Sequence, residues 1–190
     1  MDNIYSKIYN MAMPYLDTRK NDIHISLSLM FAYRLLEQYP EADRNIVLPA
    51  VILHDVGWKS VPEEKQCGAF GPNAKDPETQ RLHEIEGARI AEEILHTLDY
   101  DEAMIAEIIK IIDGHDSRGE MISLNDALVK DSDKLWRFTR EGVKIDHMRF
   151  GIELDIYLEY LGNIIDRWFF TPAARQMAFE TWNETRSIKI

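Results

Sequence analysis

Cysteine is nearly missing from this chain: Cys67 stands alone among 190 residues. An intrachain disulfide is therefore excluded, and the chain reads as a protein of a reducing, cytoplasmic compartment. Long apolar runs are also missing. The longest, Ile46 to Leu53, is interrupted by Pro49 and falls far short of the roughly 20 residues that span a bilayer. The opening residues, Met1 to Tyr5, include an acid and no basic cluster, so neither a secretory leader nor a membrane partner is expected. Positive charge is in deficit, with 22 Lys and Arg against 33 Asp and Glu, a net of −11. That argues against a nucleic-acid polymer as partner, because such proteins need a basic excess. A phosphorylated small molecule needs only local positive charge and stays compatible. Internal repeats and low-complexity tracts are absent. The hydrophobic content of 45% is ordinary and predicts one domain over residues 1–190 with a core that needs no staples.

What is present is helical periodicity. Ile23, Leu27, Phe31 and Leu35 recur at three- and four-residue steps, which predicts a helix over roughly Asp22 to Gln38. Val47, Ala50, Val51 and His54 mark a second, with Pro49 near its first turn. Ile90, Ala91, Ile94 and Leu95 mark a third, from about Leu82 to Thr97. Ile105, Ile108, Ile109 and Ile112 mark a fourth, opened by Asp101 as cap. Leu124 to Leu135, Glu153 to Phe170 and Ala173 to Ser187 complete the series, with a short N-terminal helix up to Met13. No stretch alternates with period two between hairpin turns. The expected fold is all-α, a bundle of roughly seven to nine helices. One irregular segment, Ser60 to Gln80, holds three prolines and two glycines and directly follows a His-Asp pair. Long loops in compact domains tend to be functional, so it reads as a lid or as a plain insertion.

Six histidines are spread along the chain, and four of them (His24, His54, His83 and His115) fall on or at the end of an apolar stripe. Any one alone is most simply a satisfied core residue. Four buried imidazoles would need four separate hydrogen-bond solutions, whereas a shared cation would satisfy several at once. Imidazole nitrogen and carboxylate oxygen suit manganese, iron, cobalt, nickel or zinc better than calcium. A helical bundle is a common place for such a site.

These residues resemble the HD-domain superfamily of metal-dependent phosphohydrolases. The resemblance lies in His24, in His54-Asp55 within LPAVILHDVG, and in Asp133 within LVKDSDKLW, and it spans about Ile23 to Leu135. It implies a motif core of about residues 22–138, with C-terminal helices over 144–188 packed on it. It implies that His24, His54, Asp55 and Asp133 hold one divalent transition metal. His83, in LHEIEGARIAEEIL, and His115, in IIDGHD, look like the extra ligands of the two-metal branch, in which Asp55 bridges both ions. The late aspartate is contested. On a helical wheel Asp131 falls with Leu124, Leu128 and Leu135, whereas Asp133 falls with Val129 and Trp136. Periodicity picks Asp131; the family pattern picks Asp133.

The implied chemistry is hydrolysis of a phosphate ester or anhydride, on a nucleotide-like small molecule, by metal-activated water. Two divalent cations against Asp55 and Asp133 leave an excess of about +2 to attract phosphate. Lys59, Arg118, Lys134 and Arg137 lie near the ligands in sequence and are candidates for holding phosphate, though solvated surface charge is the simpler reading of each. Asp116 and Lys59 join Asp55 as candidate catalytic groups. Trp58 intervenes before Lys59, where many phosphodiesterase members have Gly then Lys. The acidic pair of the guanosine-tetraphosphate branch is missing, so that activity is not supported. A mixed-valence di-iron oxygenase uses the same ligand types, with Tyr15 and Asp17 as loose upstream matches. A non-catalytic metal-binding sensor and a homodimer are also compatible with the pattern.

Overall fold

A computed structural model describes residues 3–72 and 74–187. Among them there are ten α-helices, two short 3₁₀ turns and no strand. The helices are α1 (Asn3–Leu16), α2 (Asn21–Gln38), α3 (Arg44–Leu53), α4 (Glu63–Gln66), α5 (Pro77–Thr97), α6 (Glu102–Ile112), α7 (Leu124–Leu135), α8 (Arg140–Phe150), α9 (Leu154–Trp168) and α10 (Pro172–Ser187). The fold is all-α, with slightly more helices than the periodicity suggests. The additions are α4, a single turn inside the irregular segment, and α8, which has no apolar stripe to announce it.

Side-chain caps start the helices where the sequence offers them. Asp43 accepts from Asn45 N at 2.8 Å and opens α3. Asp76 accepts from Thr79 N at 3.0 Å and opens α5, where Pro77 takes the first helical position. Asp101 accepts from Ala103 N and Met104 N and opens α6. Ser123 and Thr139 do the same for α7 and α8. Gly151, at φ +62, closes α8 in the left-handed conformation that glycine adopts without strain.

Helix α3 is the axis of the bundle. Every residue from Ile46 to Leu53 is buried, which is what a helix apolar on all sides requires. It packs on α1, α2, α6 and α7. Helix α2 lies along α7, and α5 crosses both α6 and the 3₁₀ turn Val56–Ser60 that follows α3. That crossing is close. A Cβ on Gly57 would lie 1.9 Å from the carbonyl oxygen of His83, so only glycine lets the turn and α5 touch. The contact brings the end of α3 against the histidine face of α5. Helix α9 packs on α8 and α10, α10 reaches α7, and α8 packs on the 3₁₀ turn Trp136–Phe138 that follows α7; between them and the Ser60–Gln80 segment a cavity remains open.

Candidate metal centre

Five segments deliver the predicted ligands to one place: His24 from α2, His54 and Asp55 from the end of α3, His83 from α5, His115 from the turn after α6, and Asp133 from α7. All six side chains are buried. His24 reaches two carboxylates, with Nδ1 3.1 Å from Asp55 Oδ2 and Nε2 2.9 Å from Asp133 Oδ1. His54 Nε2 lies 3.3 Å from Asp133 Oδ1 and 3.8 Å from Asp55 Oδ1. Asp55 Oδ1 also lies 3.7 Å from His115 Nε2 and 4.0 Å from His83 Nε2. The two latter imidazoles face each other at 3.3 Å, and the exposed Asp116 adds Oδ2 at 3.6 Å from His83 and 3.9 Å from His115. Three overlapping ligand sets result: His24, His54 and Asp133; His54, Asp55 and His115; His83, His115 and Asp116. Asp55 stands between the first and the last of them.

The donor set fits a divalent cation by an independent observation. His54 Nδ1 lies 2.9 Å from Val51 O, and His115 Nδ1 lies 2.9 Å from Ile112 O. Each backbone carbonyl can only accept, so it holds a proton on Nδ1 and leaves Nε2 as the atom aimed into the cluster. His54 Nε2 is buried there without a hydrogen-bond partner. An idle buried nitrogen beside two carboxylates is costly unless something electropositive meets it.

Electrostatics agree with the geometry. Burial opposes ionisation of Asp55, yet the adjoining histidines outweigh it and hold the carboxyl well below the usual range. Asp133 is lowered in the same way against burial, by its hydrogen bond to His24 and by the adjoining His54. Burial disfavours charge on His24, and the bonds to Asp133 and Asp55 overcome it, so its pKa is raised. His115 is raised against burial to about 10 by Asp116 and Asp55. His83, buried and facing His115, is lowered to about 4.

Supporting side chains that sequence reasoning passed over hold these ligands in place. Trp58 Nε1 donates to Asp55 Oδ1 at 2.9 Å, and the indole stacks on His83 with centroids 4.0 Å apart. Trp136 stacks on His24 at 4.7 Å. Glu84, fully buried, accepts from Asp116 N and Ser117 N at 2.9 and 2.7 Å and so fixes the turn that presents His115. The signal for Trp58 was its odd place after the His-Asp pair. In a 3₁₀ turn residues three apart eclipse, so Trp58, not Lys59, falls over Asp55.

A cavity of about 430 Å³ abuts the cluster at His115, Asp116 and Asp133. Its walls mix aromatic residues with Arg118, Lys134, Arg137 and Arg167. Lys134 Nζ donates to Trp168 O at 3.1 Å and lies 4.8 Å from the Phe170 ring. Arg118 is committed to the carbonyls of Lys110, Ile111 and Asp113 at the end of α6. Arg137 pairs with the buried Asp146, which outweighs the effect of burial and raises its pKa. Lys59 lies elsewhere: it is exposed, donates to Asp17 O at 3.3 Å and is not in the cavity wall. Asp131 faces away from the cluster and accepts from Phe170 N, Thr171 N and Thr171 Oγ1, tying α7 to the start of α10. Both aspartates are buried because α7 is packed on two sides, so the wheel could not separate them. Tyr15 and Asp17 are not in the cavity wall either. No helix among the described residues is long and apolar enough to cross a membrane.

The family model of the HD domain matches residues 21–137. The chain belongs to the HD-domain family. In this HD domain the matched span takes in all six buried ligand candidates, and it ends just before α8. The family is mostly one of metal-dependent phosphohydrolases, which supports an enzyme of that general kind. Comparison with curated proteins and with solved structures returned no match.

Proposed function

We propose that this HD domain is a metal-dependent phosphohydrolase acting on a phosphate ester or anhydride of a nucleotide-like small molecule. The observation that carries the reading is His54 Nε2, buried without a partner and facing two carboxylates where two of the ligand sets share it. His24, His54, Asp55 and Asp133 would hold a first divalent cation; His83, His115 and Asp116 would complete a second, with Asp55 between them. A bound cation supplies Lewis acidity, which acidifies water and offsets phosphoryl charge. The rest of the work falls to the chain's own groups. Lys134 binds the phosphoryl oxygens from the cavity wall, and Arg137 holds the substrate from the same wall. The aromatic lining excludes water and holds the apolar or heterocyclic part of the substrate. Asp116, the most exposed carboxylate of the cluster, accepts a proton from the attacking water.

Elemental analysis of the purified chain, followed by a panel of phosphoesters with added Mn²⁺, tests this reading. The expected result is at least one transition metal per chain and turnover that chelation abolishes and Mn²⁺ restores. His54→Ala and Asp55→Ala should lose both metal and turnover; wild-type metal content and activity in either variant would overturn the assignment.

A further inference from the structure

Three guanidinium groups converge on one ring, that of Phe70. Arg19 Cζ lies 3.8 Å from its centroid, Arg149 Cζ 5.4 Å and Arg137 Cζ 5.8 Å. A single fixed carboxylate serves them: Asp146 accepts from Arg137 Nη1 through one oxygen and from Arg149 Nη1 through the other. Arg19 has no share in it, and its Nε and Nη1 are buried without a hydrogen-bond partner. Its guanidinium sits between two rings, 3.8 Å from Phe70 and 3.8 Å from Trp58. The arrangement continues from Trp58 to His83, stacked at 4.0 Å, and Trp58 also bonds Asp55. Arg19 is therefore one indole away from the candidate metal centre.

Cation–π contact leaves the N–H groups of a guanidinium idle. Oxyanions answer those groups with paired, charge-assisted bonds, which are the stronger kind. Burial lowers the Arg19 guanidinium to about 10, so it stays charged at neutral pH. The backbone adds to the case. Arg19 and the next residue, Lys20, both hold left-handed φ values, 53° and 62°. Two successive L-residues in that region are strained, and strain of this form gathers at ligand sites. A further cavity, of about 540 Å³, is lined by Arg19, Lys20, Lys144 and Arg149 with Ile145 and Met148, and by no acid, in a chain of net charge −11. Phe70 belongs to the wall of the metal-side cavity; Arg19 and Arg149, which touch its ring, do not. The ring stands between that cavity and Arg19 and Arg149, while Arg137 lines the cavity itself.

We propose that Arg19, Arg137 and Arg149 form a second anion site beside the metal centre, filled by a second phosphate group of the substrate when the Phe70 ring swings out. The substrate is then a small molecule with two phosphates, one directed to the metal centre and one to the arginines. Anion binding at the arginines needs no metal; only the assignment of that anion to a substrate rests on the phosphohydrolase reading.

Calorimetric titration with inorganic phosphate tests the site in the full chain carrying His54→Ala, the variant expected to lack metal. Adding Phe70→Ala should tighten phosphate at least tenfold, and adding Arg19→Met, which keeps an apolar stem between the rings, should weaken it at least tenfold. Circular dichroism checks that each variant folds, and chelated wild-type protein repeats the titration independently of His54. Phosphate affinity indifferent to both changes overturns the site. In the metal-loaded chain, Arg19→Met should raise KM for a sugar bisphosphate at least tenfold more than KM for the matching monophosphate. Equal effects on the two would overturn the substrate assignment. Phosphate bound through the arginines without turnover of any phosphoester supports the anion site and overturns the hydrolase; turnover with no arginine dependence does the reverse.

Discussion

Gly57→Ala is expected to damage the metal centre from outside it. The added Cβ would lie 1.9 Å from the carbonyl oxygen of His83, 2.4 Å from Gly87 N and 2.9 Å from Gly87 Cα. All three are backbone atoms of α5, so no side chain can rotate out of the way. Ordinary van der Waals separation is about 3.5 Å, which means that α5 and the 3₁₀ turn must part by roughly 1.5 Å. Metal–ligand distances tolerate only about 0.2 Å. His83, whose own carbonyl takes the collision, would leave the reach of a cation shared with His115 and Asp116. Overpacking of this kind costs about 1–3 kcal/mol, or a fall of roughly 5 °C in Tm for a chain of this size. Elemental analysis should therefore find less metal per chain than in the wild type, together with the lower Tm. His24, His54 and Asp133 lie on other elements, so the metal should not vanish entirely. Wild-type metal content and an unchanged Tm would refute the reasoning, because they would mean that the turn and α5 are not in the contact described.

Four further substitutions separate ligands from scaffold. Asp131→Ala removes three hydrogen bonds to the start of α10 and should cost about 3 kcal/mol in chemical denaturation while leaving bound metal in place, whereas Asp133→Asn should lose metal; the opposite pattern would make Asp131 the ligand. Glu84→Gln breaks the charged acceptor that fixes the turn after α6, and should weaken metal binding about 10- to 100-fold in a competition titration with a fluorescent chelator. Asp146→Ala strands Arg137 and Arg149 without their shared carboxylate and should lower stability by about 3–5 kcal/mol in urea unfolding; a loss below about 1 kcal/mol would show that Asp146 is dispensable.

Much of this architecture was legible in the sequence because burial leaves a periodic trace. The stripes of α2, α3 and α6 announce their helices, and His24 and His54 are conspicuous because imidazoles are rare on such faces. Asp131 and Asp133 mark the limit of that logic. Both are buried, and what separates them is which neighbour each meets, Thr171 or His24. Helix α8 is hidden for a different reason: its buried positions are Gly142, Val143 and Asp146, and its anchors are ion pairs rather than an apolar stripe. Arg19 comes from a connection between helices, where no periodicity exists to reveal a buried side chain. Lys59 shows the opposite error. Its closeness to Asp55 in sequence suggests a shared site, but the tight turn aims Trp58 at Asp55 and leaves the lysine in solvent.

The six buried ligand candidates come from five separate stretches, the first and last 109 residues apart. An ion gripped there would work as a tie-bar across the whole bundle, a fastening role that a chain with one thiol has no sulfur bridge to perform. A ligand present at a hundred times its dissociation constant adds about 2.7 kcal/mol to the folded state. Copies made in a metal-starved cell would accordingly be looser and would fall sooner to proteases. The abundance of this protein would then follow the supply of its cation as well as the rate of its synthesis.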